Sequence, residues 1–517
     1  MVSSSLFLVT AFVTFALYLL VTSIVDAPYM DEVFHIPQVQ HYCAYNFTEW
    51  NPKITTLPGV YIISILLFSP VAVLTGHELI SICSVSVIRL TNVLLWMANV
   101  WLSYCLYFTL NHRVFKIGSC RNEDRASKRP YGVQNVYQSE VDDAAKMKKE
   151  STLKEKCFVE SLVVSLFPVL YFFTFLYYTD MASTFFVLLT YYCAISGHHF
   201  LSATAGAAAV LCRQTNIVWV GFSAAVAALL DVSVAVEAAV TTTEKDNTTT
   251  STSFIDIIQQ FVMQFMRRLK TLIYILYPYL VVLLGFLEFV YVNEGVVVGD
   301  RLSHQPAFHP PQLLYFYAFT TLWSFSQFVS LSSIRMLFTW LWRHTITSIL
   351  LTTTLTLLCF ISVSNFTIVH PYLRDDNRHV AFYVWRKLFA RHEVMKYVWI
   401  PVYVSSILLI HTKLTHDSVM SQTTLNVRLS QCVSILWQTL FVVCTALPLV
   451  LQKLLEPRYF IMPYLVLRLH LRAHTQRLPL ILEFLLYVLV NVSLLSLFLF
   501  VPFEWQHEPG IAQRFVW

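Results

Sequence analysis

Long apolar segments recur from one end of this 517-residue chain to the other. They run over 6–25 and near 57–75, 90–110, 157–178, 181–198, 200–231, 272–294, 311–331, 345–365, 393–411, 430–453, 458–470 and 480–502. A helix needs about twenty apolar residues to cross a hydrocarbon core of ~30 Å. Inside lipid every backbone N–H and C=O must find a partner within the protein, and apolar runs of this length meet that demand as helices. The chain is therefore expected to be an all-α polytopic membrane protein, a single domain over 1–517, with about 11–13 transmembrane helices.

Composition narrows the function. The chain is 56% hydrophobic and 13% charged, against ~25% charged in ordinary soluble domains. The net charge is only +5. No basic stripe interleaved with aromatics is present, so membrane lipid is an expected partner and nucleic acid is not. The ten cysteines are scattered, with no C-x-x-C pair and no His/Cys ligand set. Neither a disulfide framework nor a metal site is expected, and no cofactor is required. Cys43 is one of the few cysteines outside an apolar segment. The first apolar segment lacks a small-residue cleavage site and reads as a retained span.

Charge asymmetry orients the spans. The 111–156 and 232–270 connections are strongly basic, with Arg113, Lys116, Arg121, Lys148 and Lys149 in one and Arg267, Arg268 and Lys270 in the other. The positive-inside rule places both in the cytosol. The 26–56 segment holds one basic residue, Lys53, and belongs on the opposite, lumenal side. Parity then forces a choice, because 57–75 and 90–110 cannot both cross if 111–156 is cytosolic. Pro58, Gly59 and Pro70 interrupt the first of them. Residues 57–80 are thus expected to form a re-entrant or surface-lying helix pair within a first lumenal loop of 26–89, with Arg89 at the mouth of the next span. The 200–231 segment is expected to split at Arg213-Gln214-Thr215-Asn216, which is too polar for lipid. Residues 127–150 and the Thr-rich 240–253 read as flexible cytosolic insertions.

With this parity the polar clusters gather on one face. Asp31 and Glu32 follow the first span directly. Adjacent carboxylates at a membrane surface suit proton abstraction: one as general base, the other holding the acceptor or raising the base's pKa by repulsion. The structural alternative is an acidic helix N-terminus favoured by the macrodipole. His35 lies one helical turn further on. Trp50, in a Pro- and Gly-containing loop, is a sugar-stacking or headgroup wall, or an interfacial anchor. Asp180 closes Tyr177-Tyr178-Thr179-Asp180 and pairs with Arg89 or with a sugar hydroxyl. Arg213, with Gln214 and Asn216, is costly at membrane depth unless a phosphate or an internal carboxylate meets it. Asp300 and Arg301 open a compact loop that also carries His304 and His309. That histidine spacing fits no zinc pattern, and hydrogen bonding to sugar or phosphate is the expectation. Asp376, Asn377, Arg378 and His379, with aromatic neighbours, form the densest polar loop, and arginine forks suit phosphate. Arg458 clamps a lipid phosphate or pairs with Glu456. Convergence on one face favours an enzyme. The alternative class, a lipid or sugar transporter or flippase, would spread polar residues to both sides of the midplane.

Taken in order, several strings resemble one family. They are Tyr29-Met30-Asp31-Glu32 with Phe34-His35-Ile36-Pro37-Gln38, Ile54-Thr55-Thr56-Leu57-Pro58-Gly59, Arg213-Gln214-Thr215-Asn216-Ile217, Gly299-Asp300-Arg301, Asp376-Asn377-Arg378-His379 and Arg458-Tyr459-Phe460. Together they resemble the dolichyl-phosphate-glucose-dependent alpha-1,2-glucosyltransferases of the endoplasmic reticulum, as does Arg514-Phe515-Val516-Trp517. The departures are the long 111–156 and 240–253 insertions, and Pro457 in place of a bulky residue. The resemblance implies a GT-C type membrane fold with its catalytic carboxylate in the first lumenal loop. It implies dolichyl phosphate glucose as donor and a diglucosylated, dolichyl-diphosphate-linked oligosaccharide as acceptor. The third and final glucose would be added to the 2-OH of the terminal glucose, with inversion, in N-glycan precursor assembly. On that footing Asp31 is the expected general base, with Glu32 as runner-up. Arg213, Arg378, His379 and Arg458 would meet the departing phosphate. His35, Trp50, Asp180, Asn216, Asp300, Arg301, His304, Asp376 and Asn377 would contact substrate.

Overall fold

The computed structural model describes residues 2–127, 136–246, 253–301, 305–424, 426–473 and 477–517. Among these, eight helices are long and apolar enough to cross a bilayer: Ser5–Ile24, Val85–Val114, Gln214–Thr241, Leu269–Val292, Thr345–Phe366, Met395–Asp417, Val427–Val450 and Arg477–Phe500. Gly59–Thr75, Asp180–Ile195 and His199–Cys212 are apolar but shorter. The chain is an all-α polytopic membrane protein. The expectation of about 11–13 spans counted other apolar segments that form still shorter helices. Pro311–Trp323 has 13 residues, and every residue of Ile461–His470 is buried. Their apolarity serves packing inside the bundle.

Helix ends follow local chemistry. The 200–231 segment breaks where expected: Arg213 leaves the His199–Cys212 helix with extended backbone, and a short turn at Gln214–Asn216 starts the next helix. Asn216 is buried and its side-chain amide donates to Ser183 Oγ and the Ala209 carbonyl, both at 2.8 Å. Gly59, at the start of the Gly59–Thr75 helix, lies against this break. A Cβ there would collide with the backbone of Leu211 and Cys212, so only glycine permits the approach. Gly299 plays the same part against the carbonyls of Pro52 and Ile54. Val298 and Asp300 donate backbone hydrogen bonds to Thr55 and Pro52, which binds the 298–300 turn to the Trp50–Thr55 loop.

Two sequence expectations change. Cys43 and Cys83 form a disulfide across 40 residues, although no disulfide was expected. The spacing carried no signal, because the Gly59–Thr75 helix and the turn after it bring the two cysteines together. The basic connections are also largely helical. Val85–Ser127 and Val136–Ser165 extend well past the apolar stretches, and Ile217–Asp246 runs deep into the second connection. Residues 128–135 and 247–252 of the expected insertions lie outside the described residues. Past the last long helix, Phe503–Trp505 and Glu508–Gln513 pair as an antiparallel hairpin. The segment after it runs back into the bundle: Trp517 is buried, and its indole N–H donates to the Pro168 carbonyl.

Candidate active site

The first long helix ends at Ile24, and the Arg89 guanidinium binds the freed carbonyls of Val25 and Ala27. The chain turns at Met30, whose φ of +56° lies in the left-handed region that disfavours a bulky side chain. Asp31 is then the N-cap of the Glu32–Cys43 helix. Successive residues at a helix start point about 100° apart, and this divides the acidic pair. Glu32 turns inward and is fully buried. Its Oε1 accepts from Arg89 Nε at 2.9 Å and the Tyr177 backbone N–H at 2.6 Å. Its Oε2 accepts from Arg89 Nη2 at 2.6 Å and the Tyr29 N–H at 3.1 Å. Every strong acceptor position is filled, so Glu32 anchors the loop and has no route to a substrate hydroxyl.

Asp31 turns the other way, into a recess enclosed by protein, and keeps 41% of its side-chain surface open. Its Oδ2 lies 3.3 Å from Arg458 Nη1, and its backbone N–H donates to the Tyr178 hydroxyl at 3.2 Å. Burial alone would raise its pKa. The Arg458 guanidinium outweighs burial and holds the carboxyl below the ordinary carboxylate range. Asp31 is therefore ionised at neutral pH. Arg458 is itself held by Glu456, and it lies over the rings of Phe173 and Tyr178 at 5.2 and 5.1 Å.

Asp180 pairs with Arg213 at 3.2 Å and stands 3.7 Å from Arg458 Nη1. The expected Asp180–Arg89 pair does not form, because Arg89 is taken by Glu32. Arg213 also donates to Thr179 Oγ1 at 3.2 Å. His35 stands one turn from Asp31, its backbone N–H bonded to the Asp31 carbonyl at 3.1 Å. Its Nδ1 meets the Tyr61 hydroxyl at 2.6 Å. Trp50 packs against Tyr61 at 6.0 Å, behind His35.

The Asp376–His379 loop is fixed by the last residues of the chain. Arg378 forks onto Asp376 at 2.9 and 2.7 Å and reaches Gln513 at 3.2 Å. It also lies over the Trp505 ring at 4.6 Å, and the Trp505 indole N–H donates to Asn377 Oδ1 at 2.7 Å. His379 Nδ1 donates to the Trp517 backbone oxygen at 2.7 Å. Tyr29 ties the same terminal segment to the turn before Asp31, donating to the Arg514 carbonyl and accepting from its N–H. Asp300 donates its backbone N–H to the Pro52 carbonyl, and Arg301 turns back to the Asn293 side chain at 3.0 Å. His304 lies outside the described residues. Among the described residues no group of three or more His, Cys, Asp or Glu is placed to hold a metal ion.

Sequence reasoning missed a second charged centre. Arg468 is fully buried between Glu160 at 2.8 Å and Glu483 at 3.0 Å. Arg468 also donates to the Tyr107 hydroxyl, and the Ser326 and Tyr487 hydroxyls donate to Glu483. The signal was present, since all three ionisable residues fall within or beside apolar segments.

These features define a multi-span membrane protein whose polar centre presents one open, ionised carboxylate among arginines. The chain belongs to the DIE2/ALG10 family, whose model matches residues 25–469. It is 34% identical over 502 residues to a Mus musculus protein named Dol-P-Glc:Glc(2)Man(9)GlcNAc(2)-PP-Dol alpha-1,2-glucosyltransferase, covering 95% of this chain and 93% of that one. A Homo sapiens protein of the same name is 35% identical over 500 residues, with the same coverages. An Arabidopsis thaliana protein of that name is 31% identical over 546 residues, covering 96% of each chain. No solved structure gives a significant match.

Proposed function

We infer that this protein transfers glucose from dolichyl phosphate glucose to the 2-OH of the terminal glucose on a diglucosylated, dolichyl-diphosphate-linked oligosaccharide, with inversion, in the endoplasmic reticulum membrane. The observation that carries the reading is the divided acidic pair: Glu32 is sealed by Arg89, and Asp31 is open and ionised beside Arg458. Asp31 takes the proton of the acceptor hydroxyl as its oxygen bonds to the anomeric carbon. The bond from that carbon to the phosphate oxygen breaks, and dolichyl phosphate leaves with the electron pair. Arg458 and Arg213 at the cluster, with Arg378 and His379 on the neighbouring loop, offset the charge that grows on the leaving phosphate. The Cys43–Cys83 disulfide supports a lumenal site, because such bonds persist in oxidising compartments.

The test is conversion of the diglucosylated to the triglucosylated lipid-linked oligosaccharide. It uses membranes from cells lacking the endogenous last glucosyltransferase, with wild type beside Asp31→Asn. Wild-type conversion that Asp31→Asn abolishes at equal expression supports the reading. No conversion by well-expressed wild type would sink it.

A further inference from the structure

Behind Asp31 lies a buried phenol with a single task. Tyr61 is fully buried. Its ring packs against Tyr42 at 5.6 Å, Trp50 at 6.0 Å and Tyr177 at 6.4 Å. Among the described residues its hydroxyl has one hydrogen-bond partner, His35 Nδ1, at 2.6 Å. A buried O–H that donates to nothing is heavily penalised, so Tyr61 donates and Nδ1 accepts. A neutral imidazole that accepts on one nitrogen carries its proton on the other. His35 is neutral: burial pushes its pKa down to about 4, and Arg458 and Arg213 add to that push against the opposing pull of Asp31. Its Nε2–H has no protein acceptor among the described residues. The ring stands one helical turn from Asp31 and 6.5 Å from the Tyr178 ring, at the same recess.

We propose that Tyr61 locks His35 in the Nε2–H tautomer, and that His35 donates this proton in a hydrogen bond to an oxygen of the acceptor sugar beside Asp31. The proposal rests on Asp31 being the base. His35 moves no proton: it fixes the acceptor so that the hydroxyl to be deprotonated faces Asp31. Tyr61 is a positioning residue that acts through His35. A site that must hold one hydroxyl among the many of an oligosaccharide needs such a directional donor, because Asp31 as a carboxylate only accepts.

The experiment uses the full chain in detergent, with saturating dolichyl phosphate glucose and varied diglucosylated acceptor. Glutamine places its amide nitrogen where Nε2 stands, and asparagine places it where Nδ1 stands. His35→Gln is expected to keep kcat/KM within about 3-fold of wild type, and His35→Asn to lose about 10-fold or more, mostly as a higher acceptor KM. Tyr61→Phe is expected to lose about 3- to 10-fold alone and nothing further in the His35→Ala background. Yield and the Cys43–Cys83 bond, read by gel mobility, check folding of each variant. Equal activity of the Gln and Asn variants overturns the proposal. So does an undiminished Tyr61→Phe loss in the His35→Ala background, which would mark Tyr61 as packing alone. Full activity of Asp31→Asn, measured in parallel, overturns the base reading and this proposal with it; failure confined to the His35 and Tyr61 variants leaves the base reading standing.

Discussion

Two arginines on one short stretch of chain, Arg458 and Arg468, each gather carboxylates, yet they form opposite kinds of site. Around Arg468 every group is sealed: its own side chain and Glu483 are 0% exposed and Glu160 1%. Four bonds to the guanidinium, and hydroxyl donors on Glu483, leave no open face. Around Arg458 the carboxylates differ among themselves, with Asp180 sealed and Asp31 open. Burial of an ion pair is costly and holds only when the pair is fully bonded. A closed cluster therefore joins helices, and an open one keeps a reactive atom available. On the reading of Asp31 as the base, an ionisable residue in an apolar segment is not by itself a reaction site; the open face decides.

Four predictions bear on this contrast, from the largest effect to the smallest. Asp31→Asn should lower the transfer rate by about 10²–10⁴-fold with yield unchanged, read in the conversion assay. Arg468→Met and Glu32→Gln should do the reverse. Each leaves a buried charge unpaired and should cost ~3–5 kcal/mol of stability, read as a lower melting temperature and yield in detergent. A stable Arg468→Met protein that folds normally but is inactive would erase the distinction between the two centres. Third, Cys43→Ser opens a 40-residue loop, worth up to about 4 kcal/mol on loop entropy. It should loosen the Glu32–Cys43 helix, read as faster proteolysis within 26–89.

The smallest effect is on pH. On the reading of Asp31 as the base it works ionised, so activity should be lost as pH falls through its lowered pKa. Arg458→Gln removes the principal cation opposing burial. The acidic limb of the pH–rate profile should then begin at higher pH, while His35, His379, Arg213, Asp180 and Glu456 remain around the group. A limb that stays in place would mean that Arg458 does not set the ionisation of Asp31. The same change at Arg468 should shift no limb.

Much of this protein could be read from its residues. Apolar run length dictates helices, and the polar Arg213–Asn216 break within an apolar segment dictates a kinked hairpin. The acidic pair stood out because carboxylates beside a membrane span are costly. Other features could not be read that way. Asp180 is bound by Arg213 and Arg458 where Arg89 had been a candidate, and Arg89 belongs to Glu32. Arg378 is oriented by Trp505 and Gln513, more than a hundred residues further along.

By itself the sequence determined the class of molecule, since the energetics of backbone groups in lipid depend on segment composition and length alone. It also narrowed the chemistry to a few polar strings. Only the tertiary structure decided which of Asp31 and Glu32 is available, which cysteines join, and which arginine centre is closed. Those outcomes turn on distances of a few ångströms between residues far apart in the chain. Burial and pairing reverse the behaviour of chemically identical groups at that scale.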